Sequence, residues 1–117
     1  MSYEKQSKLA KRLYEKTVEG GVDWKSTITS DVFQVSFKNF TVQIVPDEPE
    51  PADYSIRIIN DSGEVTDSFS DEEMDKLAPF EAPLSSWYLA LKDMHERARR
   101  YVLGADRALD EILNEID

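Results

Sequence analysis

The side chains that most often perform catalysis are scarce in this chain. Among its 117 residues there is no cysteine and a single histidine, His95. Thiolate nucleophiles, disulfides, cysteine-ligated zinc and any site that needs two histidines are therefore excluded. His95 lies beside Met94 at the border of an apolar helical stripe, a position more typical of a partly buried polar residue than of a general base. We expect a non-enzymatic protein with no catalytic residue and no cofactor.

Carboxylates are the remaining source of chemistry. The segment 61–64, Asp-Ser-Gly-Glu, is followed by Asp67 and superficially resembles the start of a calcium loop. Its interior does not fit, because apolar or small residues occupy two ligand positions and Thr66 stands where the loop needs glycine. A tight turn explains the segment without a metal. We expect no metal site, although a carboxylate-based divalent-metal-binding protein or enzyme using Asp61, Glu64 and Asp67 stays an alternative.

A basic cluster, Arg97, Arg99 and Arg100, stands out in the acidic half of the chain. On a helix, Arg97 and Arg100 share one flank, whereas Arg99 points elsewhere. Ordinary ion pairs with Asp93 and Glu96 would account for them. The alternative is a contact to an anion or a partner, for which Arg97 and Arg100 are the candidates.

The spacing of apolar residues predicts the elements that carry these side chains. A first helix runs from about Ser2 to Glu19 and ends at Gly20-Gly21, since glycine tolerates the left-handed conformation that closes a helix. Alternating apolar and polar residues predict strands at about 32–37, 40–45, 54–60 and 64–69. A hairpin turn at Lys38-Asn39, with Asn39 at positive φ, joins the first two. Ser70 to Glu73 resembles a capping box that begins a short helix.

One face of this sheet is predicted to be apolar and the other polar. The inward set is Phe33, Val35, Phe37, Phe40, Val42, Ile44, Tyr54, Ile56, Ile58, Val65 and Phe69. Trp24 is expected to cover one end of the core together with Val22 and Ile28. Because the polar face stays open to solvent, it is a candidate partner surface. Its candidate contact residues are Gln34, Gln43, Arg57 and Ile59.

The C-terminal helix begins near residues 84–86, with Ser85 as candidate N-cap, and its apolar stripe keeps its phase through Gly104. This phase favours one continuous helix, although Gly104 also fits a helix end followed by a new start. The stripe is longer than the sheet below it. We therefore expect a homodimer in which the last part of the stripe meets a second copy. Its residues are Leu109, Ile112, Leu113 and Ile116. The alternative is a last helix that folds back and buries them within one chain.

Taken together, these elements predict an α+β fold in one domain, residues 1–117. It has an N-terminal helix, a three- to four-stranded antiparallel meander and a long C-terminal helix packed on the same sheet face. A break near Gly104 is the alternative to a continuous C-terminal helix. No apolar run approaches the ~20 residues that span a bilayer. The N-terminus is polar rather than a signal peptide, so we expect a cytoplasmic protein that does not bind membranes.

The net charge of −10 repels phosphates, which disfavours direct nucleic acid binding. Acid is concentrated in the proline-rich loop 46–53 and in residues 71–75, which together form a second candidate surface. We expect a small acidic protein–protein interaction or regulatory module without catalytic activity, with a protein partner. An alternative is a nucleic-acid-mimicking inhibitor of a basic partner, because complementary fields speed association.

Four segments carry a family resemblance: LYEKT at 13–17, WKST at 24–27, VFQVSF at 32–37 and ARRYVLGAD at 98–106. With the order of elements, they resemble small uncharacterised prokaryotic α-β-β-β-α proteins of unknown function. The resemblance covers most of the chain. Its motifs are structural, so it implies a fold and carries over no activity and no functional residue.

Overall fold

The computed structural model describes residues 4–47, 53–77 and 86–117, and these ranges form an antiparallel sheet with helices before and after it. The strands of the described residues are β1 Lys25–Ser26, β2 Phe33–Ser36, β3 Phe40–Pro46, β4 Tyr54–Asn60 and β5 Val65–Ser70, hydrogen-bonded in that order. The helices are α1 Glu4–Val18, α2 Asp71–Leu77, α3 Trp87–Leu103 and α4 Ala105–Ile116. The predicted α+β class is confirmed, and the meander has one more short strand than expected.

Some expectations lie outside the described residues. They are the N-cap at Ser2 and the central part of the acidic loop 46–53. Ser85 lies outside the described residues too, and the N-cap of α3 is Ser86, one residue later than the candidate. The described part of the chain has no helix that is both long enough and apolar enough to cross a membrane.

The strand register places the predicted apolar residues on one face. Val42 lies opposite Val35 in β2 and opposite Ile58 in β4, and Ile44 lies opposite Phe33 and Ile56. Residues directly opposite each other in an antiparallel pair point to the same side. The core therefore forms between this face and the helices. The other buried apolar residues include Leu13, Trp24, Tyr54, Phe69, Met74, Trp87, Leu91 and Met94.

The predicted core is too large at one end of the sheet. Phe37, Phe40 and Val65, all expected inside, have exposed fractions of 54%, 46% and 55%. They lie near the β2–β3 and β4–β5 turns, and Phe40 is opposite Asn60 at the end of β4. Phe37 and Phe40 keep the predicted alternation, but the helices do not cover this end. Val65 does not keep it, because the β4–β5 register shifts between Ile58 and Ile59 and places Val65 opposite Ile59 of the polar face. Ile28, expected to help Trp24 close the core, is fully exposed, so that prediction was wrong too.

Turn chemistry explains the two hairpins differently. Between β4 and β5, the Asn60 side-chain oxygen accepts the backbone N–H groups of Ser62 at 3.0 Å and Glu64 at 2.9 Å. Gly63 has φ 84°, which suits glycine, and the tight turn is confirmed. Asn39, in contrast, does not have positive φ as expected, because Asp31 is the only such non-glycine residue in the described ranges.

The short helix α2 begins at the predicted capping box. The backbone N–H of Glu73 donates to the Ser70 hydroxyl at 3.2 Å, and the N–H of Ser70 donates to the Glu73 carboxylate at 3.1 Å. These reciprocal bonds satisfy N–H groups that a helix start leaves unpaired. Beside them, the buried Asp71 carboxylate accepts the backbone N–H of Tyr54 at 2.7 Å. Asp71 therefore ties the start of α2 to the start of β4.

The C-terminal region forms two helices, and the expectation of a continuous helix was wrong. Ser86 caps α3 by accepting the N–H of Leu89 at 3.2 Å. Gly104 ends α3 in the left-handed conformation, with φ 67° and its N–H directed to the carbonyls of Arg100 and Tyr101. This geometry reverses the local handedness, so α4 starts as a separate helix. Of these two helices, only α3 covers the sheet, because α4 has no buried residue.

Candidate interaction surfaces

The apolar face of α4 departs from an ordinary monomer surface. Its residues Leu109, Ile112, Leu113 and Ile116 are exposed to 52%, 52%, 56% and 73%. The structure therefore contradicts the alternative in which α4 folds back and buries these side chains within the chain. A 12-residue helix is marginally stable in water unless its apolar face is packed. This face is consequently a strong candidate for a binding surface.

The open face of the sheet brings together the polar residues predicted there. The Gln43 amide donates to the Gln34 side-chain oxygen at 3.0 Å, and Arg57 donates to the Gln43 side-chain oxygen at 3.4 Å. This ladder crosses β2, β3 and β4 and borders a shallow depression of about 730 Å³ that Ile28 also lines. Ile59 lies on β4, opposite Thr41 of β3. The surface is formed as expected, and whether a partner contacts it stays a prediction.

The predicted basic pair lies in a cleft between the end of α1 and the α3–α4 junction. This arginine cleft has a volume of about 300 Å³ and is lined by Arg97, Arg100 and Arg107 together with Trp24. Arg97 forms an ion pair with Asp93 at 2.9 Å, one of the two ion pairs predicted from the sequence. Arg100 pairs with Asp106 across Gly104 at 3.1 Å, rather than with Glu96. Two of the three guanidinium groups are therefore already matched by carboxylates.

Asp93 also connects two helices. Its carboxylate accepts the Tyr14 hydroxyl of α1 at 2.7 Å and the Arg97 guanidinium of α3 at 2.9 Å. Burial opposes ionisation of Asp93, but the hydrogen bonds from Arg97 and Tyr14 outweigh it and lower the pKa of the carboxyl. Burial, reinforced by Asp93, raises the pKa of Tyr14 to about 12. Arg97 therefore has a structural use that requires no external ligand.

An apolar groove runs along the other side of α1, and sequence reasoning did not identify it. This α1 groove has a volume of about 450 Å³. Its apolar lining is Leu9, Leu13, Val22, Val35 and Phe37. Exposed Arg12 and Lys16 line its α1 side. Leu9 and Leu13 share one face of α1, and Arg12 and Lys16 lie next to that face. This arrangement was the only signal of the groove in the sequence. Phe37 was assigned to the core, which hid the groove.

The titratable residues of the interior have internal partners. His95 is buried and its Nε2 lies 2.7 Å from the Asp31 carbonyl oxygen. The rings of Phe33 and Tyr54 each lie 5.2 Å from the imidazole. Asp71 is buried against the Tyr54 N–H, and burial raises the pKa of its carboxyl to about 6. Both side chains are used in packing and hydrogen bonding, which is the role expected for His95.

The acidic candidates do not converge into a cation site within the described ranges. No group of three or more His, Asp and Glu side chains there could hold a metal ion. Asp67 accepts a bond from Gln6 at 3.4 Å. In residues 71–75, Asp71 is buried, and Asp75 accepts the Trp87 N–H at 2.6 Å. Part of this acidic surface is thus committed to the fold.

Comparison of the chain with family models, with curated proteins and with solved structures finds no match.

Proposed function

We propose that this chain is a small acidic protein–protein interaction or regulatory module without catalytic activity, and that α4 is its binding element. The carrying observation is the apolar face of α4, whose four large side chains are all more than half exposed. Burying a Leu or Ile side chain fully contributes about 1.5–3 kcal/mol, so four half-exposed ones offer about 3–6 kcal/mol to a partner. The proposal includes a cytoplasmic location, which is compatible with the lack of cysteine in the chain.

The way α4 is attached supports this use. It follows the left-handed Gly104 and is held by the exposed Arg100–Asp106 pair. An exposed ion pair contributes little stability, so α4 gains little from its own chain. A helix with a free apolar face and weak attachment suits recognition in a groove of another molecule.

Photo-crosslinking in the native cell tests the proposal. A photoreactive amino acid at Leu113, on the apolar face, is compared with the same residue at Asn114, on the opposite face of the same helix. We expect protein adducts from position 113 and few from position 114. Adducts from position 113 should disappear when Ile112→Asp and Ile116→Asp are added. The absence of adducts at position 113, or equal adducts at both positions, would contradict the assignment of α4 as the binding element.

A further inference from the structure

The apolar residues of α4 have the spacing of helix anchors that enter a groove. Leu109, Ile112, Leu113 and Ile116 stand at positions i, i+3, i+4 and i+7, which is the pattern by which an amphipathic helix docks its apolar face. The helix is about 18 Å long, at 1.5 Å per residue. The occupant of this face should therefore present an elongated apolar groove.

The α1 groove provides such a surface, and its charge is opposite to that of α4. Along α1 there are five basic and two acidic residues, and Arg12 and Lys16 line the groove. Along α4 there are four acidic residues and one basic residue. Asp23, the acidic residue in the groove lining, is already engaged by Tyr101 at 2.9 Å and Lys25 at 3.2 Å. Helix and groove thus match in polarity and in charge.

The positions of the two surfaces allow the contact to be reciprocal. The base of α4 borders the arginine cleft, and the arginine cleft and the α1 groove share Val22 in their linings. The two pockets therefore adjoin at Val22, in the segment that follows α1. A two-fold axis near this segment brings each α4 toward the groove of the other copy. Such an exchange closes the assembly at two copies.

From these observations we infer that the partner of α4 is a second copy of this chain, whose α1 groove receives the helix in a two-fold exchange. This inference rests on the proposed function and specifies the partner. It differs from a contact of α4 with α4, since the apolar faces of both helices are then covered by Leu9 and Phe37 of the other copy, the two apolar residues of the groove that are not buried in the core. Asp110 and Glu115, which flank the apolar face of α4, lie near Arg12 and Lys16 of the groove.

Thiol crosslinking between different copies locates the contact, because the natural chain contains no cysteine. Three single variants are made at exposed positions: Lys16→Cys beside the groove, Ala108→Cys on α4, and Lys76→Cys on α2 as the matched control. Pairs are mixed and treated with a short thiol–thiol crosslinker. We expect the mixed product of positions 16 and 108 to exceed that of positions 76 and 108. A dominant product between two copies of the position-108 variant would overturn the exchange.

A charge exchange tests the same contact without a crosslinker. One variant carries Arg12→Glu and Lys16→Glu, and the other carries Asp110→Lys and Glu115→Lys. Light scattering and sedimentation should show that each variant alone dimerises at least about 10-fold more weakly than the natural chain, since like charges then face each other. In the mixture both contacts are complementary, and the affinity should return to within about 3-fold of the natural value. Failure of the mixture to recover would overturn the inference.

The oligomeric state separates this inference from the proposed function. A natural chain that stays monomeric at all concentrations, yet still gives position-113 adducts with a different protein in the cell, refutes the exchange and leaves α4 as a binding element. A monomer without adducts refutes both. All of the substituted positions in the crosslinking and charge-exchange variants are exposed, so circular dichroism should show natural helix content in each variant.

Discussion

The buried carboxylate of Asp71 gives a quantitative prediction about pH and stability. Asp71 is only 2% exposed, and burial, with repulsion from Asp53, raises the pKa of its carboxyl from the ordinary 3.8 to about 6. The hydrogen bond from the Tyr54 N–H lowers the pKa but does not cancel this effect. At about 1.36 kcal/mol per pKa unit, the ionised group reduces the free energy of unfolding by about 3 kcal/mol.

The sign follows from proton binding. The folded state binds the Asp71 proton more tightly than the unfolded state, so the contribution of this group to stability falls as pH rises from the ordinary pKa of 3.8 to about 6. Asp71→Asn keeps an oxygen that can accept the Tyr54 N–H and removes the charge. We expect this variant to be as stable as the natural protein near about pH 4, and more stable by up to about 3 kcal/mol near about pH 8.

Urea unfolding followed by tryptophan fluorescence measures this difference, since Trp24 and Trp87 are both buried. Asp23→Asn serves as the control. Asp23 is exposed, and hydrogen bonds from Tyr101 and Lys25 lower the pKa of its carboxyl. Its removal should therefore destabilise the protein at neutral pH, with a difference that fades as pH falls. An Asp71→Asn variant that is less stable than the natural protein by the same amount at every pH would refute the assignment of Asp71 as a buried carboxylate whose ionisation destabilises the fold.

Three further predictions address the core and the helix break. Ile56→Ala should reduce the free energy of unfolding by about 2–5 kcal/mol, whereas Val65→Ala, at a half-exposed position outside the α1 groove, should cost less than about 1 kcal/mol; equal losses in urea unfolding would contradict the difference in burial. Thr17→Val removes the acceptor of the buried Trp24 indole N–H, at 3.1 Å, and should cost about 1–3 kcal/mol in the same measurement, while Thr17→Ser, which keeps the hydroxyl, should cost less. Gly104→Ala places a side chain at φ 67° and disfavours the break by about 1–2 kcal/mol. Relative to the natural protein, the rate of amide exchange in the adjoining turns should change more in Gly104→Ala than in Gly104→Asn. Identical exchange in both variants would argue against a left-handed constraint.

Local patterns in the sequence predicted most of the elements, because each has its own periodicity and end signal. β4 was predicted at its observed bounds, and the capping box at Ser70 correctly marked the start of α2. The two-residue β1 escaped prediction because so short a strand has no period. Phe37 and Phe40 follow the core alternation, yet their burial depends on how far α1 and α3 extend over the sheet. That is a property of the assembled layers rather than of the strand.

Of the candidate interaction surfaces, one could be predicted from the sequence and another could not. The polar ladder of Gln34, Gln43 and Arg57 could be predicted because strand alternation alone places these residues on one face. The α1 groove could not, since it joins a helix to a strand that lies more than twenty residues further along the chain. Its apolar residues read as core in any one-dimensional pattern. The exposure of Phe37 in the structure distinguishes a groove from an interior.

The break at Gly104 shows why an apolar stripe alone does not identify what covers it. The stripe keeps its helical phase across Gly104, so periodicity predicts the same residues for a continuous helix, a folded-back helix and a broken one. The left-handed conformation of Gly104 removes the first possibility, and the exposure of Leu109 and Ile112 removes the second. What is left is an acidic helix whose apolar face is exposed and which gains little from its own chain. Because an amphipathic helix of this length needs packing to be stable, we propose that a binding partner covers α4.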